Sequence, residues 1–470
     1  MAKRTIKWYL LLVNNTHVRH IITVNRKITN KLIAWKNSAQ RKPLILRGAR
    51  QVGKTFSLKE FGQKEFRDCH YFNFEEDERI AQIFEKDLKP QRIIDELRFY
   101  RNSNIDLGQD IVIFDEIQRC GRALTSLKYF YEEMPHCAIC AAGSLLGVAL
   151  NVEPFPVGKI EFLDLHPLDF EEFLEGTGEE ELCGLLQNRN LHEPYPALAH
   201  DRLWEQWKRY LVTGGLPSVV LAYANDRTNL FETMIRVRKT QRDLFSSYLA
   251  DIAKHSGKTN AIHIERLWRN IPAQLARSID GSAPKFRFKD AVPGMRGFER
   301  LSGPIDWLAN AGLILKTFTL DTAAIPLSAY ASENKFKLYM FDVGMLGAIS
   351  DIQPATILQY GFGNYQGYVA ENFVAQELTA SRAANLYCWT GKTSEVEFLL
   401  STDLGIVPLE VKSGRVTHSK SLGVFEARYH PERSYVLSAR NGEWKGKRCL
   451  APIYAVGTVE RDLASRTPKL

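Results

Sequence analysis

No apolar run in this 470-residue chain approaches the roughly 20 residues that a membrane-spanning helix needs, so no span is expected. Cysteine is scarce and scattered. The one C-x-x-C, Cys137 and Cys140, falls inside an apolar stretch with no second ligand pair, which argues against zinc and against a redox turn. An odd spacing on a strand sends the two thiols to opposite faces, so both are expected in the core of a reduced, cytoplasmic protein. Acidic residues are absent before Glu60, whereas Lys3, Arg4, Lys7, Arg19, Arg26, Lys27, Lys31, Lys36, Arg41, Lys42, Arg47, Arg50, Lys54 and Lys59 all precede it. Those cations outnumber the whole net charge of +8, so the rest of the chain is slightly acidic. Charge therefore points to a basic N-terminal arm, and pI alone does not argue for nucleic acid. WYLLLV near the start is short and no small-residue cleavage site follows it. Residues 1–22 thus read as a basic extension rather than a signal peptide.

What is present begins with PLILRGARQVGKT, Pro43 to Thr55. A short apolar run feeds a G-x-x-x-x-G-K-T loop, the Walker A pattern. Gly48 and Gly53 free the backbone so that the amides of Ala49, Arg50, Gln51 and Val52 can turn toward phosphate oxygens. Lys54 supplies a point charge for the β- and γ-phosphates, Thr55 a hydroxyl for Mg2+, and the helix beginning there its positive end. The second half of an ATP site is IVIFDEIQ, Ile111 to Gln118, read as a central strand opening onto the ligand crevice. Asp115 would carry the metal through water, and Glu116 would orient and deprotonate the attacking water. A third strand, CAICAAGS, ends in Ser144, placed to sense the γ-phosphate. Strands alternating with helices imply a parallel sheet covered on both faces, with KIEFLDL as its fifth strand.

GARQVGKT, FDEIQ, the Gly-Ser after the third strand and HPLDFEEFL (His166 to Leu174) resemble the bacterial and archaeal AAA-like ATPases placed near the STAND NTPases. The resemblance covers nearly the whole chain from about Arg26 onward. It implies an α/β P-loop ATPase with a helical lid, then a winged helix and a C-terminal domain of unknown function, with ATP and Mg2+ as ligands. The corresponding boundaries are 23–175 for the ATPase, 176–255 for the lid, 256–350 for the winged helix and 351–470 for the last domain. The Gly214–Pro217 turn matches the family's GG-x-P and is expected to pack the lid on the ATPase. Arg119 and Arg122 follow the Asp115 strand, but neither is assigned as an arginine finger. Lys285, Arg287, Lys289, Arg296 and Arg300 cluster around the would-be recognition helix, which suits phosphate contacts on duplex DNA. A rigid spacer or a protein contact is an equal alternative for that segment.

Near the C-terminus, EVEFLL and IVPLEVKSG read as consecutive strands of a meander. Alternation puts Glu410 and Lys412 on one face and Val407, Leu409 and Val411 on the other. With Glu397 on the preceding strand and Glu371 on a helix, this resembles the PD-(D/E)xK nuclease core, a restriction-endonuclease-like α/β fold in which two carboxylates hold Mg2+ beside a lysine. Glu397 departs from that pattern, which usually has Asp. Gly391-Lys392-Thr393 is no second phosphate loop, because Leu386 stands where its first glycine would be. Three functions fit: a Mg2+-dependent ATPase driving nuclease-like and winged-helix modules on DNA, an ATP-controlled STAND-type protein-binding switch, or a metal-dependent nuclease regulated by ATP.

Overall fold

The computed structural model describes residues 26–144, 158–279, 285–359, 365–382, 384–415 and 418–464. The basic extension lies outside them.

The first sheet has five strands, β1 (Leu44–Gly48), β2 (Cys69–Asn73), β3 (Ile111–Asp115), β4 (Ala138–Ser144) and β5 (Glu161–Asp164). They are all parallel, in the order β2-β3-β4-β1-β5. Apolar residues fill both faces, as burial under helices on each side requires. Ile45, Val112, Phe114, Ile139 and Ala141 point into one core, and Leu44, Leu46, Ile111, Ile113 and Ala142 into another. Cys137 joins the first core and Cys140 the second, the opposite-face placement expected of their spacing. All seven cysteines are free, and burial pushes the Cys137 thiol up to about 11.

Helices Phe170–Gly176, Glu180–Asn188, Ala197–Thr213, Pro217–Ala224, Leu230–Ser256 and Lys258–Ile279 follow. The turn at Gly214–Gly215 is wedged between two layers. A Cβ on Gly215 would sit 2.0 Å from the Leu168 carbonyl oxygen, and one on Gly214 2.2 Å from Asp342 Oδ1. Glycine is required at both positions by this close approach. The Leu168 amide donates to the Gly215 carbonyl at 2.7 Å, and the Gly215 amide donates to Asp342 Oδ2 at 2.7 Å. Asp342 also caps the Val343–Ile349 helix through the Met345 amide, and burial lifts its carboxyl to about 6. The turn does pack the helical segment on the ATPase part, and it fastens a third element as well.

Helix Phe298–Asn310 ends at Ala311, with Gly312 at φ 72° and the Leu313 amide returning to the Leu308 carbonyl. That is a Schellman closure, in which the glycine just past the cap ends the helix. The strand behind it does not form a self-contained wing. β6 (Ile314–Leu320) pairs with β7 (Phe336–Met340) and also, in parallel, with β8 (Leu386–Thr390). It thereby joins β9 (Glu395–Thr402), β10 (Gly405–Val411), β11 (Ser434–Ser438), β12 (Glu443–Lys445) and β13 (Arg448–Pro452) in one mixed sheet. The order is β12-β13-β11-β10-β9-β8-β6-β7. A boundary at 350/351 would cut through this sheet. The physical reason is that β6 has a second hydrogen-bonding edge, and β8 satisfies it. One apolar core runs from Ile28 to Leu463 across the proposed boundaries.

Candidate ATP site and C-terminal carboxylate cluster

The phosphate loop leaves β1 at the C-terminal end of the sheet, in register with Ser144 of β4 (Gly48 pairs with Ser144). β3 lies just beyond β4, which brings Asp115 and Glu116 to the same end. Gly48 approaches the chain so closely that a Cβ would lie 2.3 Å from the Leu165 carbonyl oxygen. Gln51 at φ 65° and Gly53 at φ 97° take the left-handed region, which coils the loop. Arg26 holds the coil. The residue is only 7% exposed, and its guanidinium donates to the Val52 carbonyl at 2.9 Å, the His166 carbonyl at 2.7 Å and Glu172 Oε1 at 3.1 Å. Tyr248 also donates to the Arg50 carbonyl at 2.8 Å, and Asp251 pairs with the Arg50 side chain. Arg50 therefore contributes backbone to the loop while its guanidinium is engaged by the Leu230–Ser256 helix.

Lys54 is buried, and its ammonium donates to the Gly48 and Ala49 carbonyls at 3.1 and 2.8 Å. Thr55 donates to Asp115 Oδ2 at 2.7 Å, and the Glu116 amide donates to Asp115 Oδ1 at 3.0 Å. Glu116 is itself left-handed, at φ 51°, and accepts from the Gln118 side chain at 2.6 Å. Lys54, Thr55, Asp115, Glu116 and Ser144 thus converge at one end of the sheet, where the sequence put them. A hydroxyl and a carboxylate 2.7 Å apart are a hard-oxygen donor pair of the kind Mg2+ selects, so these residues fit the ion.

Burial lowers the Lys54 ammonium to about 8, while Glu116 and Asp115 pull it back up. Phosphate favours the charged form, which fixes the sign of the pH dependence. Below pH 8 the lysine is already charged and ATP affinity is flat. Above it, binding must take up a proton, and the apparent Kd is expected to rise by up to about tenfold per pH unit. Calorimetry at pH 7–9.5 in buffers of different ionisation heat reads both effects. A flat Kd without proton uptake would rule this out.

The C-terminal residues singled out in the sequence also come together. Leu409 and Val411 of β10 point into the large core, and Glu410 points away from it. Glu410 pairs with Lys412 at 2.6 Å and accepts from Ser419 at 2.7 Å. Glu397 of β9 accepts from the Val411 amide at 3.1 Å. Burial, then the charges of Glu410 and Glu371, push the Glu397 carboxyl well above the usual range. Glu371, on helix Tyr365–Ser381, accepts from the Tyr339 hydroxyl at 2.8 Å.

Two members were not foreseen. Lys337, 4% exposed on β7, lies 3.6 Å from Glu371 and is in closer contact with Glu395. Glu395 could have been found, since it stands two residues before Glu397 on the same strand. Lys337 gave no signal, because it belongs to a strand read as part of another domain. Among the described residues, no group of three or more His, Cys, Asp or Glu is arranged to hold a metal ion. No helix among them is long and apolar enough to cross a membrane.

The crevice and the sheet that carries it define an AAA-type P-loop ATPase domain, and residues 40–174 match the family model described as AAA domain. Residues 204–356 and 366–455 match two domains of unknown function, DUF8612 and DUF4143. The chain is 23% identical over 418 residues to the uncharacterized protein MJ1544 of Methanocaldococcus jannaschii, covering 85% of this chain and 80% of that protein. Among solved structures it is similar to the Aeropyrum pernix ORC1 protein in complex with DNA. There the identity is 13%, over 71% of this chain and 92% of that one, with TM-score 0.23. It is also similar to the Thermotoga maritima RuvB Holliday junction branch migration motor, at 15% identity over 63% of this chain and 90% of that one, with TM-score 0.29. Scores this low carry no function across.

Proposed function

We propose that the chain is a Mg2+-dependent ATPase whose turnover gates its C-terminal module on duplex DNA. The observation that supports it most is the convergence of Lys54, Thr55, Asp115 and Glu116 on one crevice. When bound, Mg2+ neutralises charge on the β- and γ-phosphates. The chain's own residues do the rest. Lys54 exchanges its two loop carbonyls for phosphate oxygens, and the inward amides from Ala49 to Lys54 cradle them. Thr55 and Asp115 would hold the ion. Glu116, oriented by Gln118, accepts the proton of the attacking water, and the Ser144 hydroxyl reads the γ-phosphate.

DNA is favoured as partner by the exposed Lys285, Arg287, Lys289, Arg296 and Arg300. The deciding experiment is steady-state ATP turnover with and without duplex DNA. Stimulation that falls with rising salt, and is lost in the triple variant K289A/R296A/R300A, is expected. Turnover indifferent to every nucleic acid would favour the STAND-type switch instead. The gathering of Glu371, Glu397, Glu410 and Lys412 favours a second reading of the C-terminal cluster as a nuclease-like site. Metal-dependent cleavage lost in Glu410→Ala but kept in Lys54→Ala would establish it.

A further inference from the structure

Asp115 is held by more than the phosphate loop. β2 runs beside β3 with Tyr71 opposite Ile113 and Asn73 opposite Asp115. From there the Tyr71 hydroxyl donates to Asp115 Oδ2 at 2.7 Å, the same oxygen that accepts from Thr55 at 2.7 Å. The direction of that bond is set by a third group. The Asn73 side-chain amide donates to the Tyr71 oxygen at 3.2 Å, while its carbonyl accepts from the Glu75 amide at 2.8 Å. The Tyr71 oxygen is thus supplied with a donor, and its own proton is committed to the carboxylate. Lys59 lies 3.4 Å from the centre of the Tyr71 ring, fixing its plane from the helix that follows the loop. Arg101 fastens the Tyr71 carbonyl. Asp115 itself is 2% exposed, so water is a poor substitute for the hydroxyl.

We infer that Tyr71 is a positioning residue for the metal: its hydroxyl fixes the rotation of the Asp115 carboxylate so that Thr55 and Asp115 present one preset pair of oxygens to Mg2+. This rests on the ATPase reading and deepens it. Groups that orient a ligating carboxylate typically account for tenfold or more in metal affinity.

The test is equilibrium binding of a fluorescent ATP analogue to the full chain, with and without Mg2+. Bound Mn2+ is read in parallel by electron paramagnetic resonance. Tyr71→Phe removes one oxygen and keeps the ring. It is expected to weaken the metal's affinity in the nucleotide complex on the order of tenfold, while metal-free nucleotide affinity stays within twofold. Asn73→Ala, which leaves the tyrosine proton free to turn away, should shift metal affinity the same way by a smaller factor. Unchanged metal affinity in Tyr71→Phe overturns the role, as does an equal loss of metal-free nucleotide binding, which would mean general damage to the loop. A wild-type chain that binds no nucleotide sinks the ATPase reading and this role with it. Metal-dependent binding that is identical in wild type and Tyr71→Phe sinks the role alone.

Discussion

Glu116→Gln is expected to hold Mg·ATP with near wild-type affinity and to turn it over 10²–10⁴-fold more slowly, the usual worth of a general base. The change is isosteric, so the left-handed backbone at φ 51° and the bond from Gln118 have no steric reason to move. That backbone is informative in itself. A non-glycine residue held there costs roughly 1 kcal/mol or more, and such strain gathers where a side chain must be aimed. What the amide lacks is a basic oxygen for the water's proton. It also removes the largest charge supporting the Lys54 ammonium, so the fall in ATP affinity on the alkaline side should begin at lower pH. Single-turnover kinetics beside equilibrium binding separates the two effects. A variant that hydrolyses within about threefold of wild type would remove Glu116 from the chemistry.

The second large effect concerns Lys337. Its ammonium is buried between Glu371 and Glu395, and burial already raises the Glu395 carboxyl, with Lys337 as the main opposing influence. Lys337→Met keeps the stem and deletes the charge. Removing one partner of a buried ion pair typically costs about 3–5 kcal/mol, because the remaining charge has no partner. The sign with pH follows from the direction of the shift. With the cation gone, Glu395 has a folded-state pKa raised further above its unfolded value. The variant's stability is then fully present only below the ordinary carboxylate pKa and is lost as pH climbs through the raised one. The Tm deficit against wild type should be small near pH 4.5 and large at pH 7.5, read by thermal melts across that range. A deficit that does not depend on pH would mean Lys337 acts by packing alone. The result bears on function, since a cluster neutralised from within is built differently from one that waits for a metal ion.

The legibility of the two sites differed for a physical reason. The loop from Gly48 to Thr55 is one continuous stretch whose chemistry is almost wholly backbone, so residue identity and spacing declare it. Asp115, Glu116 and Ser144 follow from the rule that ligands sit at the carboxyl ends of parallel strands. Arg26, which donates to the loop's Val52 carbonyl, was hidden among the other cations that precede Glu60. Nothing in its neighbours distinguishes a buried guanidinium from a solvated one. In the C-terminal region, alternation correctly gave the faces of β10. The hairpin of β6 and β7 went astray, because a strand's sequence records which face is apolar and not which edge it will share.

By itself, then, the sequence determined the nucleotide crevice, the parallel sheet behind it, and the residue types gathered near the C-terminus. Only the tertiary structure decided that β6 and β7 extend the C-terminal sheet, that Gly214 and Gly215 bind three layers together, and that Tyr71 and Lys337 stand behind the two sets of carboxylates. The former rest on local backbone geometry and side-chain periodicity, which neighbouring residues specify. The latter rest on hydrogen bonds and charge pairs between segments distant in the chain, whose strength comes from a burial that exists only once the whole molecule has closed around them.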